Sequence, residues 1–258
     1  MENCVSVDDF LPPRKLDNAR TSGTAVALPS VVAGISLWWV PLERTPQEVA
    51  QLALTLSEEE RARAERFGTV PLRERWIAGR ASLRMLLGQA LAVAPSAVQL
   101  TRGRRGRPQL AGHSTLDFNV SHTCGKALIG IACALPVGAR IGVDVEHGER
   151  RVNADGLSRK FLTERERGSL APLTDDDRRR GFLRLWTCKE AMSKATGDAL
   201  SAPFRQLDIA TEGGLLLAGG PPPYVPKDWQ LHAVAMPDGF LATVAIWQSA
   251  GTLAPGSP

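Results

Sequence analysis

Ile141-Gly142-Val143-Asp144-Val145-Glu146 alternates apolar and acidic side chains, the pattern of a β-strand whose two faces differ. Val143 and Val145 point to one side, into a core, and Asp144 and Glu146 to the other. A strand covered on both faces normally carries apolar groups on each. Two carboxylates on one face repel each other unless a cation sits between them, so this strand is a candidate hard-metal site. Asp-x-Glu alone is most often a solvated strand face; the case for chemistry rests on what the rest of the chain brings to it.

Working outward, basic helix-forming residues follow from Phe161 to Leu170 with Thr163 as a cap. Asp175 to Gly197 reads as a long helix, capped by Thr174 or Asp175 and closed by Gly197. Leu207 to Ala210, Trp229 to Met236 and Phe240 to Trp247 are strand-like, and Asp238-Gly239 makes the last two a hairpin. Before the acidic strand, Ile35 to Val40 is a strand, and Ser57 caps a helix that starts at Glu58. Leu72 to Val93 is a helix with an apolar stripe ended by Pro95, and strands run through Phe118 and Val120 and from Ala127 to Leu135. The order strand, helices, strands occurs twice. This predicts an α+β fold of two similar halves, 34–138 and 139–249, joined near Gly138, with 1–33 and 250–258 as flexible extensions outside the packed fold.

The 258 residues are 43% apolar and 22% charged, ordinary for a globular protein and enough for a real core. No apolar run approaches the roughly 18 residues of a membrane span, and Met1 to Phe10 carries acids where a signal peptide needs basic and apolar residues. A cytoplasmic protein with no membrane partner is expected. Cys4, Cys124, Cys133 and Cys188 show neither Cys-x-x-Cys spacing nor a disulfide framework. The net charge of +4 suggests an anionic partner: phosphorylated small molecules, an acidic protein or nucleic acid.

Two further stretches bear on the acidic strand. In Trp186-Thr187-Cys188-Lys189-Glu190-Ala191-Met192-Ser193-Lys194, residues Trp186, Glu190 and Lys194 lie near one helix face, which supplies a third carboxylate. An intrahelical ion pair is the ordinary explanation. Phe182, Leu185, Cys188 and Met192 weaken it, because a largely buried helix rarely keeps Lys189, Glu190 and Lys194 without partners. In Asp117-Phe118-Asn119-Val120-Ser121-His122-Thr123-Cys124-Gly125, the strand is expected to stop at Ser121-His122, leaving both side chains in a loop suited to a phosphate.

Phe118-Asn119-Val120-Ser121-His122, Gly142-Val143-Asp144-Val145-Glu146 and Trp186 to Lys194 stand in the order and spacing of the 4′-phosphopantetheinyl transferases, and Arg105-Gly106-Arg107-Pro108 resembles that family's Gly-Lys/Arg-Pro element. The match spans about 57 to 247, and the chain's length and doubled halves resemble the surfactin-type branch, whose single chain is a pseudo-dimer with its active site between two α+β halves. The resemblance implies transfer of the phosphopantetheine arm from coenzyme A to a serine of an apo acyl or peptidyl carrier protein, releasing adenosine 3′,5′-bisphosphate. It implies Asp144, Glu146 and Glu190 as ligands of magnesium or manganese. Lys194 holds the phosphate under attack or its leaving neighbour, Glu190 takes the serine proton, and Lys189 orients it. Ser121 and His122 contact the coenzyme A phosphates, with Arg63, Arg75 and Arg80 in that pocket. Gly106, Arg107 and Pro108 meet the adenine edge, with Arg107 flanking the ring. Glu60 stands where related enzymes carry a lysine, and Glu166 falls where the family has another acid near the cleft. The expected carriers are acidic, and a chain holding both halves needs no second copy, so a monomer is expected.

Two other function classes fit parts of the chain. The run Arg102 to Arg107 suits a nucleic-acid backbone, but no aromatic residue lies between Trp76 and Phe118 to stack on bases, so no nucleic-acid partner is expected. A metal-dependent nuclease or other phosphodiesterase explains three carboxylates. It leaves Ser121-His122 without a role.

Overall fold

The computed structural model describes residues 25–113 and 115–248. Strands β1 (Val26–Leu28), β2 (Ile35–Pro41), β5 (Asp117–Thr123) and β6 (Lys126–Ala132) form an antiparallel sheet in the order β1-β2-β6-β5. A second antiparallel sheet, ordered β10-β11-β7, joins β7 (Arg140–His147), β10 (Trp229–Val234) and β11 (Phe240–Trp247). Two-stranded ribbons β3 (Leu100–Arg102) with β4 (Pro108–Leu110), and β8 (Asp208–Ala210) with β9 (Leu216–Gly219), flank them. The helices are α1 (Pro46–Ala53), α2 (Glu58–Ala64), α3 (Val70–Leu91), α4 (Ala154–Phe161), α5 (Glu164–Leu170) and α6 (Asp175–Thr196). The fold is mixed α and β, as the alternation predicts.

Local chemistry accounts for most boundaries. Thr174 caps α6 by accepting from the Asp177 amide, three aspartates sit in its positive first turn, and Gly197 ends it at φ 81°. Ser57 and Thr163 each close a capping box on α2 and α5. Asp238 and Gly239, both at positive φ, make the tight turn between β10 and β11. Helix α3 stops earlier than Pro95 dictates: Ala92 turns left-handed at φ 53° and the Val93 amide returns to the Gly88 carbonyl. Helices α1 and α4 and strands β1, β3, β4 and β9 were not expected. The α1 signal is in the sequence, as Thr45-Pro46-Gln47-Glu48 is a capping box with proline at the first turn. Strand β1 lies in the segment expected outside the packed fold, yet it pairs with β2 through Val26↔Trp39 and Leu28↔Leu37. The rest of both extensions, 1–24 and 249–258, lies outside the described residues. No helix among the described residues is long and apolar enough to cross a membrane.

The period-2 reading of β7 decides the packing. Ile141, Val143 and Val145 join Val244 and Ile246 of β11 against Leu37, Trp39 and Leu128 of the first sheet. Helix α3 covers the other face of that sheet, with Ala78, Leu83 and Leu87 on Trp38, Val40 and Ile129. On the outer face of the second sheet, Leu185, Cys188 and Met192 of α6 pack on Leu231, Leu241 and Ala245. The layers therefore run α3, sheet, sheet, α6.

Gly142 sets how closely α6 lies on β7. A Cβ there would stand 1.9 Å from the Ala191 carbonyl oxygen and 2.7 Å from the Ala195 amide nitrogen, both helix backbone that cannot turn aside. Gly142→Ala is therefore expected to cost about 3 kcal/mol or more in urea-unfolding stability, since overpacking here shifts a whole helix. A loss below about 0.5 kcal/mol would contradict this packing.

Candidate functional site

Strands β5 and β7 meet through side chains. Asp117, Asn119 and Ser121, alternate residues on one face of β5, accept hydrogen bonds from the amides of Ile141 (2.8 Å), Val143 (3.0 Å) and Val145 (3.3 Å). These are the β7 amides that a further paired strand would otherwise satisfy. Arg107 completes the seam. Its Nη1 and Nη2 donate to the two Asp117 carboxylate oxygens (3.0 and 2.7 Å), Nη2 donates to the Ile141 carbonyl (2.9 Å), and Nε donates to the Lys194 carbonyl (2.9 Å).

At the end of this ladder Ser121 Oγ donates to Asp144 Oδ1 (2.8 Å), and Lys194 Nζ donates to both Ser121 Oγ (2.9 Å) and Asp144 Oδ1 (2.6 Å). One strand pair and one helix thus bring Ser121, Asp144 and Lys194 together. Asp144, Glu146 and Glu190 line a single groove of about 420 Å³, whose other walls include Val152, Leu157, Phe161 and Trp186. Arg150 pairs with Glu146, and Thr123 donates to Glu146 Oε2 at 3.5 Å. Among the described residues no group of three or more His, Cys, Asp or Glu side chains is placed to hold a metal ion as it stands. Asp144 Oδ1 faces Lys194 and Glu146 Oε1 faces Arg150.

The carboxylates that line the groove are nonetheless the oxygen donors a hard cation takes. Asp144 is 5% exposed, and its Oδ2 is buried without a hydrogen-bond partner. Burial first, and then the Asp144 and Glu146 charges, hold the Glu190 carboxyl above its ordinary value, with Lys194 acting the other way. Burial also raises Glu146, relieved in part by Arg150. Three crowded carboxylates with an orphaned buried oxygen form an all-oxygen donor set that suits magnesium or manganese.

The raised Glu190 value has a consequence for stability. A group more easily protonated in the folded state than in the unfolded one contributes stability below the unfolded value, about pH 4.3, and loses it as pH rises through the raised value. Without metal, Glu190→Gln is therefore expected to melt above the wild type at about pH 7.5, an advantage that shrinks as the pH falls toward 4. Magnesium should stabilise the wild type more than the variant. A variant that melts below the wild type at neutral pH would contradict the crowding.

Across β5 from this groove lies a cavity of about 470 Å³, lined among others by Arg75, Trp76, Arg80, Pro108 and His122. His122 and Ser121 are both within β5 and not in a loop, because the hairpin turn falls later, at Cys124 (φ 47°) and Gly125 (φ 69°). As neighbours on a strand they serve opposite faces: His122 the cavity, Ser121 the carboxylate groove. Arg63 and Arg80 stand 5.5 and 5.8 Å from the Trp76 ring centroid. Arg75 pairs with Glu43 at 2.7 Å. Glu60 is a structural anchor: it caps α2 and pairs with Arg80 (3.2 Å) and with the buried Arg84 (2.6 Å).

Three expected site residues are placed elsewhere. Lys189 is 0% exposed and donates to Glu166 Oε2 (2.6 Å) and to the carbonyls of Phe161 (3.0 Å) and Phe204 (2.8 Å). Glu166, 1% exposed, also accepts from the Thr163 and Ile209 amides, so this ion pair ties α5, α6 and β8 in the interior rather than at the cleft. Arg107 directs every side-chain donor into the seam, which leaves only the main chain of Gly106-Arg107-Pro108 to face a ligand. Asp117 and Asn119 were missed, although polar residues at 117, 119 and 121 alternating with Phe118 and Val120 are a legible two-faced strand. Nothing in the sequence signals Arg150 as the partner of Glu146.

Residues 38–133 match the 4′-phosphopantetheinyl transferase N-terminal family model, and residues 140–236 match the 4′-phosphopantetheinyl transferase superfamily model. The 4′-phosphopantetheinyl transferase HetI of Nostoc sp. (strain PCC 7120) is 36% identical over 224 residues, 83% of this chain and 90% of that one. The 4′-phosphopantetheinyl transferase AcpT of Escherichia coli (strain K12) is 33% identical over 127 residues, 49% of this chain and 60% of its own. Among solved structures, a holo-(acyl-carrier-protein) synthase from Bacillus anthracis str. Ames, in complex with CoA (3′,5′-ADP), aligns with 43% of this chain and 96% of its own at 20% identity and a TM-score of 0.33. With both model matches and a relative matched over nine tenths of its length, the chain belongs to the 4′-phosphopantetheinyl transferase family.

Proposed function

We propose that this enzyme moves the 4′-phosphopantetheine arm of coenzyme A onto a serine of an apo carrier protein through the groove that Asp144, Glu146 and Glu190 share. The observation that carries the proposal is the convergence of those carboxylates with Lys194 and Ser121 at the β5–β7 seam. The serine Oγ attacks the phosphorus nearer the pantetheine. A new O–P bond forms, the bond to the nucleotide half breaks, and adenosine 3′,5′-bisphosphate leaves with the electron pair.

Asp144, Glu146 and Glu190 are assigned as ligands of a divalent cation. When bound there, it would supply charge neutralisation for the pyrophosphate and for the leaving phosphate. Glu190, whose carboxyl is held above its ordinary value by burial and by the neighbouring acids, takes the serine proton. Lys194, held on Asp144 at 2.6 Å, presents a point charge to the same phosphates. His122, Arg75 and Arg80, with Arg63 beside Trp76, form a basic lining for the 3′-phosphate of coenzyme A in the cavity across β5, while its pyrophosphate lies in the groove. Ser121 orients Asp144 and Lys194 from below.

We further infer a pseudo-dimer of two α+β halves, 34–138 and 139–249, as in the surfactin-type branch. Its supports are the two consecutive family matches and the equivalent use of α3 and α6 on the outer faces of the two sheets. We infer a monomer acting on acidic carriers; its supports are that all three carboxylates of the groove come from one chain and the net charge of +4. The test is product release. With coenzyme A, magnesium and an apo carrier, adenosine 3′,5′-bisphosphate should appear only when the carrier is present. Equal release without carrier, or cleavage of plasmid DNA lost in Glu190→Ala, would favour a phosphodiesterase instead.

A further inference from the structure

We propose that Arg107 is a positioning residue for the transfer step: it holds the reacting groups in register across the seam and does not touch coenzyme A. The inference rests on the transferase reading above. Its basis is that one planar guanidinium is bonded to three elements, and each carries one member of the Ser121, Asp144 and Lys194 cluster. Asp117 lies four residues before Ser121 on β5, Ile141 three before Asp144 on β7, and the third acceptor is the main-chain carbonyl of Lys194 itself.

The Lys194 carbonyl is in the last turn of α6, where helix carbonyls lack intrahelical donors and a cation is favoured. Arg107 therefore caps the helix that carries both Glu190 and Lys194, and it does so from a turn in the other sheet's ribbon. The side chain is only 4% exposed, and weaker contacts to the Pro108 and Phe118 carbonyls at 3.4 Å occupy what remains of its hydrogen-bonding capacity. An adenine ring beside it would need the guanidinium face that the seam already covers. Lysine cannot replace this geometry, because a single ammonium cannot reach a carboxylate fork and two carbonyls on different elements at once.

The experiment compares steady-state kinetics of wild type, Arg107→Lys, Arg107→Gln and Asp117→Asn with coenzyme A and an apo carrier, normalised to folded protein. All three variants should lose about 100-fold in kcat, the cost of an ångström-scale misplacement, while KM for coenzyme A stays within about threefold. The Arg107→Gln/Asp117→Asn double variant should be no worse than either single one. A rise of about tenfold in KM with kcat retained would put Arg107 on the coenzyme and overturn the proposal. An unchanged kcat per folded molecule, with only a lower melting point, would reduce it to a stability contact and overturn it equally.

A second readout needs no variant to fold. In the ¹⁵N-labelled wild type, the Arg107 Nε–H should exchange slowly and keep its chemical shift when coenzyme A is added. A ring-current displacement would overturn the proposal. If the wild type transferred nothing to any carrier, the function assigned to the groove would fail, while slow Nε–H exchange would still report the seam.

Discussion

Asp144→Ala is expected to lower transfer by about 10²- to 10³-fold or more, the scale for removing one preorganised electrostatic group from a reacting site, and to leave the chain folded. Both halves of that expectation come from its contacts. Oδ1 holds Lys194 and Ser121 in place, and Oδ2 is buried without any partner, so the carboxylate is organised for something other than packing. The ladder between β7 and β11 uses backbone and does not need this side chain. Lys194, 27% exposed at its side chain, can be hydrated once its partner is gone. Circular dichroism and the urea midpoint should therefore stay close to those of the wild type, with a change of about 1 kcal/mol or less. Loss of activity together with an unfolded spectrum would leave Asp144 a packing residue.

Lys189→Met should do the opposite, lowering stability by about 3–5 kcal/mol. The ammonium is enclosed, burial pulls its value down, and Glu166 opposes that pull. Its removal strands the Glu166 charge in the interior and leaves the Phe161 and Phe204 carbonyls without their donor. At about 2–4 °C per kcal/mol for a chain of this size, the melting point should fall by roughly 6–20 °C. Adding Glu166→Gln should recover part of the loss, because the pair is then absent rather than broken. An unchanged melting point with turnover abolished would return Lys189 to the reacting groups, contrary to its position.

Much of this site is legible in the sequence because period-2 and 3.6-residue patterns survive folding unchanged. Val143 and Val145 enter the core and Asp144 and Glu146 turn toward α6, as the alternation requires. Thr174 and Gly197 bound α6, so Glu190 and Lys194 lie on the stretch predicted for them. What the sequence conceals is which charges face each other. Lys189 and Glu190 are adjacent in the chain and about 100° apart on the helix, which puts one in an ion pair with α5 and the other in the groove. Arg107 resembles a ligand-binding arginine in a glycine-rich turn, and only the approach of β7 and α6 reveals that its donors close a seam. Ser121 and His122 look like a loop because the tight turn at Cys124-Gly125 comes two residues later than polarity alone suggests.

The most direct measurement is the intact mass of apo carrier proteins from fatty-acid, polyketide and peptide synthesis after incubation with the enzyme, coenzyme A and magnesium. At least one carrier should gain the mass of a single phosphopantetheine, only when its acceptor serine is present, with the gain lost when Asp144→Ala replaces the wild type. Unchanged masses for every carrier, with the wild type shown to be folded, would contradict the function assigned to the Asp144, Glu146 and Glu190 groove.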